Sequence, residues 1–317
     1  MSRRQTPRRS AAVPLLALAG ALAACVAPPP RTDAVSAAAV QLASDLAEAD
    51  AAIERAVLGI DQFSRMNRRE AAAIAYATGG RLPAPRRGAG VVAGDSAAEA
   101  AGAVLEPAFE ALAEHGRRLA ALTGPVPPGP PPPQPAVLRR QAEEGLARYE
   151  ALLRRSDLTP AAREAGLAAI ATLASAPAAG TEFSAFITER QAAVEALASL
   201  LRAVIGADER SGLRAVLAAE QAEARRGRDA LLAAARRDPA AGVLGRYALF
   251  HGVMRAEEEQ PADEVLAEAV RVLAALPAAH AALAEGDPAA AAQRVAAFSA
   301  AVDRLEAAER ELARAAY

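Results

Sequence analysis

A chain of 317 residues with 36 basic and 38 acidic side chains has a net charge of −2 and is long enough for one large or two ordinary domains. Apolar residues make up 53%, but about three in ten residues are Ala and only 3% are aromatic, so a thin, Ala-packed core is expected. Every basic residue is Arg and none is Lys, the mark of a GC-rich coding sequence; with an acidic balance, this excludes nucleic acid as the expected partner.

The chain opens with Arg3, Arg4, Arg8 and Arg9, followed by an apolar stretch from Ala11 to Ala24. At about fourteen residues this stretch is shorter than the twenty or so that a membrane-spanning helix needs, and it has the proportions of a secretory signal peptide. It ends in Leu22, Ala23, Ala24 and Cys25, the only cysteine of the chain. This quartet resembles the lipobox of bacterial lipoproteins. The resemblance covers about the first thirty residues and implies cleavage after Ala24 and attachment of lipid to Cys25. Its physical logic is additive: each buried methylene contributes about 0.8 kcal/mol, so one acyl chain holds marginally and two or more hold firmly. A catalytic thiol would instead need a base and a folded pocket, and a disulfide would need a second cysteine. Val26, where Asp would favour inner-membrane retention in enteric lipoproteins, leans the resemblance toward the outer membrane. Residues 25–32, with three consecutive prolines, read as a short stiff tether.

Beyond the tether, helical periodicity recurs and strand-like alternation does not, so the expected fold is all-α: an antiparallel helical bundle, Ala-rich, with coiled-coil-like long helices. The first helix is expected from Asp33 to Thr78, with Leu42, Leu46, Ala49, Ile53, Ala56, Ile60 and Phe63 in a 4,3 alternation that faces a partner helix. Asn67 continues that stripe, and the reading preferred for it is a helix emerging from its bundle. A Gly- and Pro-rich break follows. Ser96 and Glu99 then have the spacing of a capping box for a second helix, which Pro107 kinks or divides and Gly124 ends. Residues 124–135, almost all Pro and Gly, separate an N-terminal segment (33–123) from a C-terminal bundle (136–317). They serve either as a linker between domains or as a span across the end of one bundle.

In the C-terminal part, Thr159 and Pro160 read as an N-cap and first helical residue. Further helices are expected from 136 to 155, 182 to 205, 209 to 237, 241 to 259 and 262 to 276. The last, opened by Asp287 and Pro288, carries Val295, Phe298, Val302, Leu305 and Leu312 on one face, interrupted by Glu309. The stretch around Asp287 resembles the turn of tetratricopeptide-like hairpins, but no repeat near thirty-four residues accompanies it, so a helical solenoid is the minor alternative.

Candidate chemistry is sparse. The three histidines are His115, His251 and His280. His115 lacks the Glu-x-x-His spacing of di-metal bundles, because position 112 is Leu, and His251 stands two turns from Glu258. No metal or cofactor is expected, and each His reads as structural. Gly242, Gly245, Tyr247, Phe250, Gly252 and Met254 suit close helix packing in the core; were there a ligand pocket, Arg246, Tyr247 and His251 would line it. Arg225, Arg226, Arg228, Arg236 and Arg237 alternate with Glu220 and Glu223, as on a solvated, salt-bridged helix face. No catalytic motif appears, although groups distant in sequence are invisible to such a search. The expectation is a lipid-anchored, periplasm-facing protein with a structural or interaction role, its partner an envelope protein or its own copies. A small-molecule carrier and, less favoured, an envelope enzyme are the alternatives.

Overall fold

A computed structural model describes residues 33–79, 96–125, 131–154, 156–258 and 262–315. Leu22, Ala23, Ala24, Cys25 and the tether lie outside the described residues, as do 80–95 and 126–130. The described secondary structure is helical: α1 (Asp33–Ala77), α2 (Ala97–Thr123), α3 (Pro135–Leu153), α4 (Pro160–Ala174), α5 (Phe183–Ile205), α6 (Gly212–Arg237), α7 (Val243–Glu258), α8 (Ala262–Ala282) and α9 (Pro288–Ala315). The fold is an all-α bundle.

Local chemistry sets several of these boundaries. Ser96 Oγ accepts from the Glu99 backbone amide at 2.9 Å, and Thr159 Oγ1 accepts from that of Ala162, with Pro160 in the first turn. The capping box is only half formed in the expected sense. The Ser96 hydroxyl donates to Asp61 of α1 at 2.8 Å, and the Glu99 carboxylate turns toward Arg65 at 3.9 Å, so the cap doubles as a tie to α1. Asp287 Oδ1 accepts from the amides of Ala289 and Ala290 and starts α9. Gly206, at φ 100°, closes α5 in backbone space that other residues rarely enter.

Two prolines lie inside helices. Pro107 neither divides nor ends α2, which runs on to Thr123. Pro277 falls within α8, so this helix extends past the expected stop at Leu276 to Ala282. Packing supplies what the missing amide removes, because Leu273, Leu276 and Ala279 around the proline are all buried.

Helix α1, about 67 Å long by its 45 residues, is the spine. Its 4,3 stripe is buried from Leu42 through Ile60, and Ile74 is buried as well. Asn67 is buried too, so the helix does not leave the bundle there; α6 runs alongside and covers it. Helix α2 returns antiparallel to α1, with Gly116 against Ala43, Gly102 against Val57 and Ser96 at Asp61. Helices α4 and α5 form a second antiparallel hairpin. By contrast α9 lies parallel to α1, since Asp45 meets Ser299 and Arg55 meets Glu309 ten residues further along both helices. This return of the last helix onto the first closes a bundle, whereas solenoid repeats touch only their neighbours.

One continuous apolar core takes side chains from α1 through α5, α6, α8 and α9. Helices on both sides of the Pro-rich segment contribute to this core, with α2 packed directly on α3. Helix α8 is long and apolar enough by composition to cross a membrane, but its apolar face is buried against α5 and α9.

Candidate functional site

Two features stand apart from ordinary packing: a polar cluster sealed in the core and an apolar stripe left in solvent. The first forms where α2, α5 and α8 converge. His115 of α2 and His280 of α8, each 1% exposed, face one another with their Nε2 atoms 2.9 Å apart. Gln191 of α5 orients the pair. Its Nε2 donates to Glu195 Oε1 at 2.8 Å and to the Pro277 carbonyl at 3.2 Å, which leaves Oε1 as the acceptor 2.8 Å from His280 Nδ1. His280 therefore carries its hydrogen on Nδ1, and the proton between the rings belongs to His115 Nε2. His115 Nδ1 is then a bare acceptor, with no hydrogen-bond partner among the described residues.

The surroundings hold both rings neutral. Phe186 stacks on His115 at 5.2 Å between centroids, and the Arg190 guanidinium lies over the Phe186 ring at 4.5 Å from its centroid. Burial pushes His115 well below the usual imidazole range, and the neighbouring His280, Arg190 and Arg118 push the same way. Burial and Arg190 lower His280 to about 4. Arg190 is held by the Thr172 carbonyl of α4, and Arg118 pairs with Glu114 at 2.6 Å. One shared proton fits between two neutral imidazoles; protonation of His280 at Nε2 makes both Nε2 atoms donors and opposes the contact. At 1% exposure each, both rings are sealed from solvent.

The second feature is α7. Val243, Tyr247, Phe250 and Met254 recur at 4,3,4 spacing and are 78%, 67%, 47% and 42% exposed, with Leu244 beside them at 83%. The helix touches α6 through its other side, where Val253 is buried and Leu249 half-buried. Gly242, Gly245 and Gly252 have no atom within 4 Å of where a Cβ would stand. The expected close packing of this segment in the core does not occur: two apolar stripes share one helix, and only one has a described partner.

The sequence-selected positions distribute accordingly. Arg246, Tyr247 and His251 lie on exposed α7, with the Tyr247 and His251 rings 6.1 Å apart and tilted. They share a helix surface rather than the core. The arginine-rich part of α6 divides. Arg225, Arg226, Arg236 and Arg237 are exposed, but Arg228 is buried, with Nε and Nη2 on the two carboxylate oxygens of Glu70 at 2.9 and 2.6 Å. Glu220 accepts from Ser64 at 2.9 Å, so it too faces α1 rather than solvent.

The His pair escaped sequence reasoning because its members are 165 positions apart and His280 lies in the turn beyond Pro277, where the helix was expected to have ended. No family model, no curated protein and no solved structure matches this chain.

Proposed function

We propose that this protein is a lipid-anchored helical lipoprotein of the cell envelope, facing the periplasm from the outer membrane, and that its role is to interact rather than to catalyse. The observation that carries the interaction role is the solvent-exposed apolar stripe of α7 on a body whose other long apolar faces are buried. Exposed contiguous apolar surface rimmed by charge is a feature of association sites. The buried His pair supports the same reading, because the most unusual titratable cluster among the described residues has no exposed face from which to meet a substrate. The lipobox-like quartet ending in Cys25 supports the anchor.

The anchor is tested by replacing Cys25 with Ser and fractionating cells. Accumulation of an uncleaved precursor and loss of the protein from the outer-membrane fraction are expected. Normal processing with retention in the membrane would contradict the reading. The interaction role is tested by cross-linking from α7 in intact envelopes, where defined products are expected from Tyr247 and none from the Gly245 side.

A further inference from the structure

We propose that the exposed stripe of α7 is the contact between two copies of this chain, with the two α7 helices antiparallel about a two-fold axis. The inference deepens the interaction reading above and does not depend on the lipid anchor.

The geometry of the helix supplies the first argument. Val243, Tyr247, Phe250 and Met254 follow the alternation that keeps a seam facing a partner helix, on a side distinct from that packed on α6. Together with Leu244, their exposed surface is roughly 600 Å² per copy, so a pair that covers it removes about 1,200 Å², the lower range of stable interfaces. The large side chains are aromatic or flexible, the types enriched at interface centres.

Charge supplies the second argument and selects the partner. Arg236, Arg237 and Arg246 outweigh Asp238 around the start of α7, a net positive end, whereas Glu257 and Glu258 outweigh Arg255 in its last turn, a net negative one. An antiparallel pair sets the basic end of each helix beside the acidic end of the other; a parallel pair sets like against like. A surface complementary to itself under a two-fold rotation is what an isologous dimer requires. Centring the pair on the stripe places Tyr247 opposite Phe250 of the second copy, and Val243 opposite Met254. Because α7 packs on α6 alone among the described helices, pairing leaves the rest of the bundle undisturbed.

The register gives a direct test in the full chain, expressed as two differently tagged copies, one carrying Tyr247→Cys and the other Phe250→Cys. A short bis-maleimide spans the roughly 8–10 Å between packed helix axes and reacts in oxidising and reducing compartments alike, so failure of the anchor reading would not mimic failure of this one. The unsubstituted chain controls for Cys25. A mixed-tag dimer is expected from this pair and not from Leu58→Cys, an equally exposed apolar site on α1. Arg236→Glu with Arg237→Glu should lower the yield about tenfold, as should Glu257→Arg with Glu258→Arg, and combining all four should restore it. All of these positions are exposed or in the last turn of α7, and helical circular dichroism of each variant confirms folding. Cross-linking no greater than at Leu58, or charge reversals that change nothing, would overturn the proposal. So would a thiol at position 247 that is shielded in monomers, which would mean another part of the chain covers the stripe. Labelling there only by lipid-soluble reagents would likewise overturn it, because a bilayer would then be the occupant.

Discussion

His115 and His280 share a single proton between Nε2 atoms 2.9 Å apart, inside a core that holds both rings neutral. The unfolded chain protonates them near the ordinary imidazole value of 6.5, whereas burial in the folded chain lowers His280 to about 4 and holds His115 well below its ordinary range. Their contribution to stability is therefore complete above 6.5 and is lost as pH falls from 6.5 toward 4. Asp50 acts in the opposite sense. Burial, with Glu110 and Glu54 nearby, raises its carboxyl from 3.8 to about 6, so its protonation favours the fold over much of the same window. The unsubstituted protein should accordingly show a muted pH dependence, and variants should uncover each half. His280→Gln should gain stability relative to the parent on going from pH 7.5 to pH 4.5, by on the order of 3 kcal/mol. Asp50→Asn should lose relative stability over that interval. Urea midpoints at the two pH values measure both, and parallel shifts of parent and His280→Gln would refute the assignment.

Glu309 breaks the apolar alternation of α9 and is buried, yet Arg55 of α1 reaches it at 3.1 Å. Arg55→Ala should destabilise the protein by about 1–3 kcal/mol, since it removes the partner of a buried carboxylate. Adding Glu309→Leu should recover most of that loss, because an apolar side chain there extends the stripe of Val302, Leu305 and Leu312. Denaturant unfolding of the single and double variants decides the matter; a double variant less stable than Arg55→Ala would count against it.

Two helical glycines should respond to the same substitution with opposite signs. A Cβ at Gly145 would stand 2.7 Å from the carbonyl carbon and oxygen of Ala103, so α2 and α3 would have to separate. Gly145→Ala should cost about 1–3 kcal/mol in spite of the better helix propensity of Ala. At Gly227 the nearest atom is Ile74 Cδ1 at an ordinary 3.5 Å, and Gly227→Ala should stabilise by about 0.5–1 kcal/mol. Thermal unfolding of the two variants side by side tests the contrast.

Ser96 both caps α2 and donates to Asp61. Ser96→Ala should cost about 1–2 kcal/mol, and Ser96→Asn, which keeps a capping oxygen, should lose less. Equal losses would show that the tie to α1, rather than the cap, carries the effect.

Much of the fold was legible in the residues themselves. The 4,3 stripe of α1, the caps at Ser96, Thr159 and Asp287 and the apolar face of α9 each follow from spacing within one helix, where 3.6 residues per turn converts sequence into position on a face. What spacing cannot convey is which faces meet. Glu220 and Arg228 sit in a run that looks solvated until α1 is laid beside it. Pro277 looks like a helix end until burial on both sides holds the helix through it. The small and aromatic residues of α7 look like core in composition, but only the rest of the bundle decides that the core is already full. His115 and His280 carry no mark of one another, because their contact is made by the convergence of three helices. By itself the sequence determined the helices and the faces they bury; the tertiary structure decided the partners, since long-range packing, rather than local propensity, selects among faces of equal apolarity.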